Sequence, residues 1–205
     1  MKTSLLKAFQ SKTGRFFSKH LLSTDGIEII KGVDFAPSGS KRIAFDVWDF
    51  GGQEVFYPTH NFFLTSRAIY LALFRADKLV THRLEYWMKT IKHVSRKNTK
   101  DCLVFLVGTH ADNCSPEHLA SVQEQLRFKF PKSVYLSLHN EIFFTSAVNG
   151  NGIRQLKTKI YSEISNIPNF FPKIAESWAR FHKLLTSTAV AKVCLLRFLN
   201  MGKLF

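Results

Sequence analysis

Asp46-Val-Trp-Asp-Phe-Gly-Gly-Gln-Glu54 is the stretch that decides the fold. The run Arg42 to Trp48 leading into it alternates apolar residues at Ile43, Phe45 and Val47, the period of a strand with one face in a core. The strand ends in Asp49, followed by Gly51-Gly52 and Gln53. A carboxylate at the C-terminal end of a strand can hold magnesium through water. A glycine three residues later lets a backbone N–H approach a terminal phosphate with no Cβ in the way. A glutamine just beyond can orient an attacking water. Asp-x-x-Gly alone is common in turns, but Trp48 before it and Gln53-Glu54 after it favour a phosphate sensor.

Further motifs stand on either side. Strand-like Leu103 to Val107 runs into Gly108-Thr-His-Ala-Asp112, and strand-like Glu141 to Phe144 runs into Thr145-Ser-Ala147. Ser23-Thr-Asp-Gly-Ile27 precedes the opening stretch. Together they resemble the guanine-nucleotide-binding motifs of the Ras-like superfamily. The wording "STDGI", "DVWDFGGQEVFYPTHNFFLTSRAIYLALF" and "GTHAD" is similar to the Roc (Ras of complex proteins) domain of Roco proteins, over residues 1–165.

The resemblance implies an α/β, Ras-like P-loop GTPase fold, a mostly parallel sheet with flanking helices. It implies a guanine-nucleotide-binding switch that takes GTP or GDP with Mg2+ and hydrolyses GTP slowly, within an intracellular signalling protein. Lys2 would neutralise the β- and γ-phosphates. Thr3 and Thr24 would hold the metal, and Asp49 would anchor it through water. Gly52 would sense the γ-phosphate, and Gln53 would position the attacking water. Asp112 would accept two hydrogen bonds from guanine, rejecting adenine because that would leave a buried carboxylate unpaired. Thr109 would tie the loop together, His110 would lie against the base, and Ser146-Ala147 would offer a backbone N–H to the base oxygen. Val148 stands where Ras proteins usually have lysine. Read as residues alone, Thr109 to Asp112 is equally a loop opening a helix, and Ser23 to Gly26 equally a good turn.

The front of the chain departs from the pattern. A phosphate-binding loop reads Gly-x-x-x-x-Gly-Lys-Ser/Thr after a buried strand, whereas this chain opens Met1-Lys-Thr-Ser-Leu-Leu6. Lys2 and Thr3 match the end of the loop; its glycines and the first strand are missing. In the family that strand lies between the one ending at Asp49 and the one near residues 67–74, so its loss predicts two unpaired inner edges and a gap in the core. Losing three or four backbone donors to phosphate would cost ~6 kcal/mol, about four orders of magnitude in affinity. Two expectations follow: an N-terminally incomplete domain, or a nucleotide-free pseudo-GTPase serving as an interaction and dimerisation module. Retention of Thr3, Thr24, Asp49, Gln53 and Asp112 favours the first.

At 205 residues, 45% hydrophobic with 20 Phe, the chain can bury one sizeable core. The three cysteines, Cys102, Cys114 and Cys194, suit reduced thiols of a cytoplasmic protein, and no Cys/His spacing suggests zinc. His60, His82 and His93 read as surface or cap residues. No stretch reaches the roughly 20 apolar residues of a membrane span. The net charge of +14 draws on Lys2, Lys7, Lys12, Arg15 and Lys19, and on Lys89, Lys92, Arg96, Lys97 and Lys100. An anionic membrane surface or an acidic protein partner is one reading of that charge, and a solvated helix face is the other. The phenylalanines fall in strand-like or amphipathic runs, so no specific nucleic-acid partner is expected.

The predicted order is helix 3–17, a hairpin of 28–35 with 42–48, a second switch region 52–66 with Phe56, Tyr57, Phe62 and Phe63 exposed or half-buried, and strand 67–74. Helix 81–97, strand 102–107, helix 116–129 behind a Ser115-Pro116 cap, strand 141–145 and helix 152–165 follow. Residues 166–205 are expected to be a linker, Ile167 to Pro172, and an amphipathic helix, Ile174 to Leu185. By position this resembles the truncated start of the COR region through which Roco proteins dimerise. The apolar tail from Val193 to Phe205 reads as lacking a partner.

Overall fold

The computed structural model describes residues 2–11, 14–16, 26–34, 43–66, 68–95, 102–166 and 192–200. Thr24, the turn at 36–40, the linker at 167–172 and the helix expected at 174–185 lie outside the described residues.

Alternation of helix and strand builds three layers. In chain order the elements are α1 (Lys2–Gln10), β1 (Ile27–Asp34), β2 (Ile43–Phe50), the single-turn α2 (Tyr57–His60), β3 (Ala68–Arg75), α3 (Thr81–Ser95), β4 (Cys102–Thr109), α4 (Pro116–Lys129), β5 (Leu138–Phe144), α5 (Ile153–Asn166) and β6 (Lys192–Asn200). The six-stranded sheet has the order β1-β2-β6-β3-β4-β5. Among the described residues the β1–β2 pairing alone is antiparallel, and the other four pairings are parallel. β3 is buried on both faces, and its residues divide between the two layers. Ile69, Leu71 and Leu73 join Leu5, Leu6 and Phe9 of α1 and Leu156 and Ile160 of α5. Tyr70, Ala72 and Phe74 meet Leu84, Trp87 and Ile91 of α3 and Val122 and Leu126 of α4. Residues that alternate along a strand must serve opposite faces, so one apolar run of seven, Ala68 to Phe74, supplies both cores.

The tail departs most from expectation. Lys192–Asn200 is not an unpartnered apolar end but a strand, lying parallel between β2 and β3. Val47 pairs with Leu196, and Leu196 pairs with Ile69. The slot predicted to be an unpaired gap is therefore filled by the far end of the chain. Parallel pairing needs only an extended segment of the right direction, and a sheet interior strongly disfavours unpaired backbone groups.

Other differences are smaller. α1 ends at Gln10, short of the expected 17; beyond it Gly14, with φ +69, donates to Ser11 O at 3.2 Å. Phe16 then reaches the core from beyond the helix. Tyr57 is buried, stacked on Tyr86 at 5.0 Å, whereas Phe62 is 86% exposed. His60 is not a surface residue. It is fully buried, 5.0 Å from Phe50 and 6.0 Å from Trp87 between ring centroids, so the aromatic cluster under α2 claims it. The expected Ser115 cap is present, accepting from His118 N at 3.2 Å.

Candidate functional site

The parallel strands β2, β6, β3, β4 and β5 present their C-terminal ends at one rim, the side on which open α/β sheets bind ligands. Asp49 lies at the end of β2 with 1% exposure. Thr3, in the first turn of α1, donates from Oγ1 to Asp49 Oδ2 at 3.3 Å. A hydroxyl and a carboxylate so placed are hard oxygen donors, the class that magnesium takes, with water and phosphate completing its shell. The donor set thus fits that ion; among the described residues no group of three or more His, Cys, Asp or Glu forms a metal cluster.

The loop beyond Asp49 is held from the opposite side. Gly51 N donates to Gly26 O at 2.6 Å, joining the start of β1 to the Gly51-Gly52 turn. Gly52 is half-buried, and Gln53 is exposed at the head of a short 3-10 turn, where its carbonyl accepts from Phe56 N at 3.2 Å. Lys2 opens α1.

The other end of the rim is closely tied. Thr109 is buried and donates from Oγ1 to Phe74 O at 3.0 Å, while its carbonyl accepts from Ala76 N at 2.9 Å. Thr145 N donates to Gly108 O at 2.7 Å, and Ala111 N donates to Thr145 O at 3.2 Å. β3, β4 and β5 are thereby locked just where they stop. A Cβ on Gly108 would come within 2.7 Å of the Phe144 ring, and one on Gly152 within 2.1 Å of Phe144 O, so the closeness of these loops requires glycine.

His110 turns the chain with φ +59, the one positive φ outside glycine among the described residues. Asp112 follows in a 3-10 turn, exposed to solvent. Ser146 is buried, and its Oγ accepts from Val148 N at 3.2 Å. Its own N–H is used, donating to Asn151 O at 3.0 Å. Ala147 is half-buried and accepts at its carbonyl from Phe16 N at 2.6 Å, which ties the segment after α1 to this loop. Val148 is 49% exposed.

Burial holds the His110 imidazole below its ordinary pKa; the Arg75 guanidinium adds to this, while Asp77 and Asp112 oppose it. Arg75 and Asp77 were missed by the sequence reading. They form a two-pronged ion pair of 2.9 and 2.5 Å at the end of β3, each strengthening the charge of the other chiefly through their hydrogen bond. Opposite charges two positions apart at the end of an apolar strand were the available signal. His118 also closes on this corner, its Nε2 lying 2.9 Å from Ala76 O.

Asp49 and Asp112 thus lie on one rim, with β6 and β3 between their strands. Three strand spacings give a lateral separation of about 14 Å. Thr3, Asp49, Gly52 and Gln53 gather at the β2 end; Thr109, His110, Asp112, Ser146 and Ala147 gather at the β4–β5 end.

Residues 2–112 match the family described as "Ras of Complex, Roc, domain of DAPkinase". The probable serine/threonine-protein kinase roco11 of Dictyostelium discoideum is 39% identical over 189 residues, 83% of this chain and 12% of its own length. The probable serine/threonine-protein kinase qkgA of the same organism is 40% identical over 143 residues, 69% of this chain and 9% of its own. The chain therefore spans about a tenth of these relatives. Among solved structures, Methanosarcina barkeri Roco2 RocCORdC bound to GDP aligns with a TM-score of 0.62 and 26% identity, over 92% of this chain and 53% of that one. The chain belongs to the Roc family, the Ras-like GTPase domain of Roco proteins.

Proposed function

We propose that this chain is a guanine-nucleotide switch that binds GTP and GDP and hydrolyses GTP slowly. The observation that carries the reading is the pairing of Thr3 with Asp49 at one end of a rim whose other end holds the Thr109–Asp112 and Thr145–Ala147 loops. That separation matches a ligand with a polyphosphate at one end and a flat, polar base at the other. The GDP in the Roco2 structure supports it.

Asp112, exposed at the mouth of the β4 loop, accepts from the guanine ring N–H and amine. Ala147 donates its backbone N–H to the base oxygen, with Ser146 fixing the loop, and His110 flanks the base while Thr109 holds that loop to β3. At the other end Lys2 lies against the β- and γ-phosphates and Gly52 donates its N–H to the γ-phosphate. Gln53 orients the attacking water. Magnesium, when bound, neutralises phosphate charge; Thr3 and Thr24 would hold it directly and Asp49 through water. The Gly51–Gly26 bond would pass loss of the γ-phosphate contact to the segment that carries Thr24. Phosphoryl transfer is mainly positioning and charge stabilisation, so turnover without a completing group stays slow.

We assign residues 1–165, with the inserted strand Lys192–Asn200, to the nucleotide-binding unit and residues 166–191 to the start of a COR-like region, through which the longer protein dimerises. The basic surface suits an acidic partner or anionic membrane. No helix among the described residues is long and apolar enough to cross a membrane, and the free Cys102 and Cys114 suit a cytoplasmic setting.

The place of Lys192–Asn200 between β2 and β3, where the resemblance puts the strand that leads into the phosphate loop, favours a second reading, a scaffold without nucleotide. Titration with a fluorescent GTP analogue, with and without magnesium, separates the two. Saturable, guanine-selective binding that Asp112→Ala abolishes supports the switch. No binding by the chain, nor by one extended upstream through a complete phosphate loop, leaves the scaffold.

A further inference from the structure

A cavity of about 140 Å³ lies at the other end of the sheet from the rim, between α3 and the segment that leads into β5. Its walls are apolar: Met88 and Ile91 of α3, Val104 near the start of β4, and Leu138 at the start of β5. A dry cavity of about 150 Å³ with such walls accepts a benzene-sized ring.

Two polar features separate it from an ordinary packing defect. Ser137 lines it, 7% exposed, and among the described residues its hydroxyl oxygen has no hydrogen-bond partner apart from the weak Cys102 thiol beside it. A buried hydroxyl left so poorly satisfied is destabilising, and a ligand atom in the cavity would relieve that. At the mouth, Lys92 is exposed and holds its ammonium 5.4 Å from the Tyr135 ring centroid, and both side chains line the opening. The nearby carboxylate, Glu85, is already engaged by Lys129 at 2.5 Å. The charge offered to a ligand at this mouth is therefore positive.

We propose that this cavity is a binding site for a free, small apolar carboxylate of about benzoate size. The ring would fill the space bounded by Ile91, Val104 and Leu138. One carboxylate oxygen would meet the Lys92 ammonium, and the other would accept from the Ser137 hydroxyl. The site shares no residue with the rim, so its occupancy can be read whether or not guanine nucleotide binds.

The test is amide NMR of the full chain titrated separately with benzoate, benzamide and benzylammonium, at concentrations up to the millimolar range. Benzoate is expected to shift the amides of Ser95, Leu136 and Leu138 saturably, binding about tenfold tighter than benzamide, as a charge-assisted contact at a partly open site would give. Lys92→Glu, an exposed substitution that leaves the fold intact, is expected to remove that advantage and favour benzylammonium. Equal binding of all three probes, or unchanged ranking in Lys92→Glu, would overturn the carboxylate assignment. Shifts confined to other amides, or none that saturate, would overturn the site itself.

Discussion

At the β4–β5 end of the rim, the backbone and hydroxyl bonds that fix the loops join neighbouring strand–helix units. Thr109 reaches Phe74, and Thr145 reaches Gly108. At the β2 end, Asp49 is reached by Thr3 from the first helix, and the strand beside β2 arrives from residues 192–200. Apart from the Phe16–Ala147 bond, the first half is assembled from consecutive units whose loops close over short distances. The second depends on bringing together the two ends of the chain, at a larger entropic cost of closure. The two halves should therefore respond differently to substitution.

The largest contrast is expected from the strand that closes the slot. Leu196→Pro removes an N–H from a strand paired on both sides and puts a rigid ring into the sheet interior. Chemical denaturation should show a loss of about 3 kcal/mol or more, the scale of a proline forced into regular structure. Unchanged stability would mean that β2 and β3 do not depend on β6, and the comparison would fail at its root.

A middle-sized effect is expected at the other end. Thr109→Val keeps the shape but loses the 3.0 Å bond to Phe74 O, leaving a buried carbonyl short of one partner. A loss of about 1–2 kcal/mol is expected, with faster amide exchange confined to the 108–112 and 145–147 loops. Loss of protection spreading to β2 would show that the two ends are not separable.

The smallest effect concerns pH. His110 has a folded pKa held below its ordinary value of 6.5, so the unfolded chain binds the extra proton first on acidification. Stability from this group is complete above pH 6.5 and declines as pH falls towards the folded pKa. His110→Asn, which accepts the positive φ, should flatten that part of the stability–pH curve and leave stability at neutral pH nearly unchanged. An identical acid limb in the variant would assign the titration elsewhere.

Much of this was readable in advance, for identifiable reasons. Strong alternation in Ile43, Phe45 and Val47 and the doubly buried run Ile69 to Phe74 announced their strands. The loops after β4 and β5 were legible because glycine, threonine and serine stand where strands end. His60 misled because a lone histidine gives no sign of the aromatic cluster that encloses it, formed by Phe50, Tyr57 and Trp87. The Arg75–Asp77 pair went unnoticed because its local signal, opposite charges two positions apart, does not by itself say that the two side chains close on each other rather than on solvent.

The sequence by itself determined the alternation of elements, the family, and the residue types along the rim, because periodicity, turn chemistry and motif spacing are properties of neighbours in the chain. Only the tertiary structure decided where Lys192–Asn200 goes. An apolar strand can add to any open edge, and its choice of the place between β2 and β3 is made by the direction and register of two partners more than a hundred residues away.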